Sequence, residues 1–195
     1  MKLSFFTPLA LSAMAELAFA QSPPATNVPA PPPTVTAPAV IPGAPVTALT
    51  DRDRRFVVTQ LEDNMAELQA AQLAMQHSQN PNVRGFAQKM ITDHTYTQDT
   101  LTRIASMHHI QSPTMLTEQH RDMLDRLTTL NGPTFDRNYV ESTLRAHATM
   151  ISELNSEISN VIDTHINAWV QNTRPTILQH SEIAQQLLAS LPSRG

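Results

Sequence analysis

Three of the eight histidines in this 195-residue chain, His94, His147 and His180, fall on the apolar stripes of three different segments with helical periodicity. A polar side chain is unusual there. Glu67 lies in a fourth such segment. With a rise of about 1.5 Å per residue, Glu67, His94 and His147 come to similar depth in packed helices, and His180 is out of level by about 6 Å. Three neutral imidazoles and one carboxylate are the donor set of a mononuclear site for zinc, copper or iron, with Glu67 as the oxygen ligand. A plainer reading is that these groups satisfy one another. A buried histidine needs partners for both ring nitrogens, and Glu67, Asp136, Tyr139 and backbone carbonyls are at hand. Asp136, Tyr139 and His147 follow each other at roughly helical repeats, so they suit either a hydrogen-bonded spine that fixes helix register or polar support behind a metal.

Other chemistries lack their residues. A di-iron centre of the bundle type needs Glu-x-x-His pairs, and the chain has none; Glu118-Gln119-His120 has the wrong spacing to share a helix face. Met65, Met75, Met90 and Met150 recur at core spacing and read as packing rather than soft copper donors. Nothing resembles a nucleophile triad, a glycine-rich phosphate loop or a pair of catalytic carboxylates. Asp93, as the neighbour of His94, is expected to point away from it toward solvent or a loop. His108 and His109 sit near a predicted helix C-terminus, which favours partial positive charge. They and His77, His120 and His165 read as structural or surface residues. The net charge is −4 with Lys and Arg scattered, which leaves no footprint for nucleic acid.

The elements that must position these residues are helices. Thr50 and Asp53 mark a start, and Val57, Leu61, Met65, Leu68 and Met75 give the inner face of a helix running to about Ser78. Asn80-Pro81 opens a second, with Val83, Ala87, Met90, His94 and Leu101 inside, ending near His108. A short third helix spans about Thr117 to Leu130 and carries Leu124 and Leu127, with Leu116 just before it. Asn131-Gly132-Pro133 separates it from a long fourth, marked by Val140, Leu144, His147, Ile151, Leu154 and Ile158. The last begins at Asp163 and contains Trp169; Pro175 must kink or restart it before the stripe Ile177, His180, Ala184, Leu187 and Leu191. The sum is an all-α chain, an up-and-down bundle of four long helices plus one short helix.

Before residue 51 the composition is different. Lys2, the apolar run from Leu3 to Ala15 and Ala18-Phe19-Ala20 read as a signal peptide over residues 1–20, cut after Ala20. Residues 21–50 hold nine prolines and no charged side chain, the composition of an extended disordered linker. Residues 51–195 form the single domain. With no cysteine, the chain can carry neither a disulfide nor a lipidated cysteine, and no later segment is apolar enough to span a membrane. Export to the periplasm or cell envelope follows.

Over residues 51–190 the chain resembles the bacterial domain-of-unknown-function family 4142, exported proteins similar to the ferritin-like bundles. The resemblance is carried by NMAELQAAQLA around Glu67, VRGFAQKMITDHT ending in Asp93-His94, GPTFDRNYVESTLRAH ending at His147, and RPTILQH ending at His180. Arg174 stands where that family usually has leucine. The resemblance implies a ferritin-like fold in the envelope and brings no activity with it. The sequence therefore favours a non-catalytic structural or interaction protein, meeting an envelope protein or a second copy of itself. The alternative is a periplasmic metal-binding or redox protein with one transition-metal ion inside the bundle.

Overall fold

The computed structural model describes residues 48–192. The signal peptide and nearly all of the linker expected from the sequence lie outside them. Five helices follow in order: α1 (Asp51–His77), α2 (Pro81–Met107), α3 (Glu118–Thr128), α4 (Gly132–Ile158) and α5 (Thr164–Ser190). There is no strand among the described residues. Each start has a local cause. Thr50 and Asp53 form a reciprocal capping box on α1, and the Asn80 side chain accepts from Asn82 and Val83 at the head of α2. Thr117 caps α3, and Asp163 Oδ1 accepts from both His165 N and Ile166 N to start α5. Gly132 enters α4 at a φ of +56°, a conformation glycine adopts without penalty.

Each long helix has 27 residues and so spans about 40 Å. Their buried positions step by four and three throughout: Val57, Gln60, Asn64, Glu67 and Ala71 on α1; Met90, His94, Thr97 and Leu101 on α2; Val140, Thr143, His147 and Met150 on α4; Val170, Thr173, Ile177 and His180 on α5. That is the seam pattern of helices packed nearly parallel or antiparallel. Arg52 of α1 pairs with Glu157 of α4 at 2.6 Å, and His77 at the other end of α1 stacks on Phe135 near the start of α4, so these two helices run antiparallel. Spatial neighbours alternate up and down around the ring α1, α2, α5, α4, and the crossover that carries α3 returns the chain from the end of α2 to the opposite end of the bundle. One long crossover of this kind is the ferritin-like connection.

The core falls into two apolar halves. One gathers Val83, Phe86, Met90, Phe135, Val140, Ala184 and Leu187, and the other Val57, Leu61, Leu101, Leu154, Ile166, Trp169 and Ile177. Between them lies a polar layer of Asn64, Glu67, His94, Thr97, Thr143, His147 and His180, all buried.

Two expectations change. On α1, Met65, Leu68 and Met75 are only half-buried, as are Leu144, Ile151 and Ile158 on α4, and the inner positions of α1 after Leu61 belong to Asn64, Glu67, Ala70, Ala71 and Ala74. At Pro175 the final helix is not restarted, since α5 is continuous through it with the proline on the exposed side.

Candidate functional site

The polar layer brings His94, His147 and His180 together from α2, α4 and α5, with exposures of 1%, 0% and 0%. One ring nitrogen from each lies within 4.8 Å of the others. The ring centroids stand 5.7, 5.5 and 5.4 Å apart, nearly an equilateral triangle. The 6 Å mismatch expected for His180 is therefore absent: its ring reaches the same level as the other two.

Each imidazole is held from behind. Asn64 Nδ2 donates to the His94 carbonyl at 2.9 Å and to Gln98 Oε1 at 2.7 Å, so Asn64 Oδ1 faces the ring and accepts from His94 Nδ1–H at 2.6 Å. His180 Nε2–H donates to Asp93 Oδ2 at 2.7 Å, and Lys89 Nζ donates to the same oxygen at 2.9 Å. His147 Nε2 lies 3.1 Å from Glu67 Oε1, while Glu67 Oε2 lies 3.2 Å from His94 Nδ1. The opposite nitrogens, His94 Nε2, His147 Nδ1 and His180 Nδ1, are buried without a hydrogen-bond partner. Buried polar atoms are rarely left so, and one such nitrogen on each of three helices in one layer is the feature that needs a reason.

The electrostatics keep the rings neutral where the shift is clear. Burial pushes His94 down, the Glu67 carboxylate resists, and the neighbouring imidazoles push further, to about 4. Burial also depresses His180, against the pull of Asp93. For Glu67, burial raises the carboxyl, but His147 and His94 outweigh it and hold it at about 2. At neutral pH, His94 and His180 thus offer lone pairs and Glu67 is ionised.

Several sequence expectations need correcting. Asp93 does not turn to solvent or a loop: it is 8% exposed and braces His180. Successive helical residues are about 100° apart, so His94 can face the centre while Asp93 takes the seam toward α5. Glu67 belongs to the layer, with its carboxylate against His94 Nδ1 and His147 Nε2, but it is not among the three side chains whose nitrogens lie within 4.8 Å of one another. Asp136 and Tyr139 are buried on the same face of α4 as His147, with the Tyr139 hydroxyl beside Thr143. The Tyr139 ring packs beside Phe135 and Phe86, and Phe86 stands edge-on to His180.

Two histidine contacts had no sequence signal beyond helix punctuation. His108 Nε2 lies 3.3 Å from Asp163 Oδ2, tying the end of α2 to the start of α5, with His165 beside them. His120 Nε2 of α3 lies 3.3 Å from Asp63 Oδ1 of α1. Asp63 holds that imidazole above its ordinary pKa, chiefly by hydrogen bonding against a smaller burial effect.

The model of the family described as a domain of unknown function, DUF4142, matches residues 39–187. No curated protein was found to match. Among solved structures, the chain is similar to the crystal structure of a DUF305 fragment from Deinococcus radiodurans, with a TM-score of 0.66 and 15% identity over 76% of this chain and 100% of that one. At that identity the likeness speaks for the fold alone.

Proposed function

The chain belongs to the DUF4142 family, whose description assigns no activity, and from the chain's own residues we propose that it is an exported metal-binding protein holding one ion of zinc, copper or iron on His94, His147 and His180. One observation carries this reading: one nitrogen from each of three buried imidazoles lies within 4.8 Å of the others, and each ring keeps at least one nitrogen without a hydrogen-bond partner. A polar group behind a ligating histidine fixes its tautomer and orientation and raises its basicity, and here Asn64, Asp93 and Glu67 occupy those places. Imidazole donors without thiolate suit zinc, copper or iron. Export rests on the leader in residues 1–20, and residues 21–50 serve as the tether.

A second reading, a tethered structural bundle, draws support from Glu67, which satisfies part of the layer's charge internally through His94 and His147. It leaves the three remaining nitrogens without a role.

The test is metal content. The full chain, recovered from an export host and stripped with chelator, is incubated separately with zinc, copper and iron beside a His147→Ala chain whose helicity is checked by circular dichroism. About one ion per parent chain, lost in the variant, supports the site; no ion in either retires it. Mass spectrometry of the same sample, beginning at Gln21 or at Met1, decides the leader.

A further inference from the structure

The three imidazoles are sealed in the bundle, so an ion needs a way to reach them, and the surface supplies one. α1 and α4 face each other through small side chains, Ala66 and Ala70 against Ser142 and Ala146, and a cleft of about 420 Å³ opens there under α3. Its lining includes Glu67, which is 7% exposed and touches both His94 and His147. Farther out, the lining holds donors from three helices. Asp63 stands one turn before Glu67 on α1 and is 28% exposed, His120 of α3 is 20% exposed and 3.3 Å away, and Glu153 comes from α4. Arg126 and Arg145 are exposed lining residues. His120 Nδ1 is buried without a partner.

We propose that this cleft is the loading site of the ion: Asp63 and His120 capture a divalent transition-metal cation from solvent, and Glu67 passes it inward to His94 and His147. The proposal rests on the metal-binding reading above. Asp63 and Glu67 supply hard oxygen that holds a partly hydrated cation loosely, and the inner imidazoles hold it more tightly, so affinity rises with depth. The carboxylates also concentrate cations in a narrow, low-dielectric space. A plainer role for His120 is to pin α3 to α1 through its ion pair with Asp63. His120→Lys separates the two, because lysine keeps the ion pair and is a poor metal donor at neutral pH.

The experiment follows uptake of zinc by the metal-free full chain in stopped flow with a chromophoric competitor, and then measures affinity and stoichiometry at equilibrium. Ala146→Phe, at an exposed position, fills the cleft; His120→Lys removes the capture ligand; Asp99→Asn, exposed on α2, removes a charge elsewhere. Ala146→Phe and His120→Lys are expected to load about tenfold more slowly, with one ion bound at the parental affinity, and Asp99→Asn at the parental rate. An Ala146→Phe chain that loads as fast as the parent overturns the cleft as the route, and a His120→Lys chain that does so overturns the capture role. A parent that takes up no zinc, copper or iron overturns the metal-binding reading itself, a result distinct from either.

Discussion

Replacing Asp93 by asparagine changes one charge behind one imidazole and little else, which makes it a sharp probe of the layer. The carboxylate accepts from His180 Nε2–H at 2.7 Å, a short charge-assisted bond, and His180 is fully buried. Asparagine can still accept that proton through its carbonyl oxygen, so ring position and tautomer are kept while the negative charge is lost. Removing such an outer partner lowers metal affinity by about 10- to 100-fold, or roughly 1.4–2.7 kcal/mol. Lys89, 2.9 Å from the same oxygen, already offsets part of the charge, so the loss should fall toward the lower end, about 10- to 30-fold. Competition titration with a chromophoric chelator measures it. Lys89→Met should shift affinity the opposite way, because Asp93 then acts on His180 alone. Unchanged affinity in Asp93→Asn, or a loss of equal size in Lys89→Met, would refute the idea that Asp93 tunes His180 as a ligand.

Three further outcomes follow from the described contacts. In the metal-free chain, His94 takes up its proton near 6.5 when unfolded but only near 4 when folded, so stability is complete above pH 6.5 and falls as pH drops toward 4, by at most about 3 kcal/mol; Glu67, shifted from 4.5 to about 2, extends the loss below pH 4.5. Thermal melts at pH 7, 5.5 and 4.5 should show this decline, and a flat Tm down to pH 5 would contradict it. Asp163→Ala removes the cap of α5 and leaves His108 buried without its carboxylate, costing about 2–4 kcal/mol in urea unfolding; Asp163→Asn, which still caps, should cost less. Pro175→Ala should raise stability by about 1–3 kcal/mol, since α5 continues through an exposed proline that cannot donate within the helix. An unchanged or lower Tm would mean that the proline shapes the path that seats His180.

The helices were legible because their punctuation is local: Thr50 with Asp53, Asn80-Pro81 and Asp163 all cap as their side-chain chemistry requires. The three histidines were legible because a polar residue inside an apolar period stands out. The α1 face was misread because its inner positions are polar or small. Counting large apolar residues selects Met65 and Leu68, which flank the seam, over Asn64, Glu67 and Ala71, which fill it. Asp93 was misread because sequence adjacency says where a side chain leaves its own helix and nothing about which helix lies alongside. The Asp63–His120 contact pairs residues 57 positions apart on α1 and the crossover helix, a proximity that only tertiary packing creates.

The layer that holds the histidines also cuts across the bundle between its two ends. Apolar contacts, which resist local opening most strongly, are concentrated toward the two ends, and the waist between them depends on a few polar contacts. Without an ion, amide hydrogens of α4 near His147 should exchange sooner than those around Val140 or Leu154, the two ends behaving as separate cooperative units. An ion shared by α2, α4 and α5 would join those units, so that occupancy is read in hydrogen exchange as a change from two protected blocks to one.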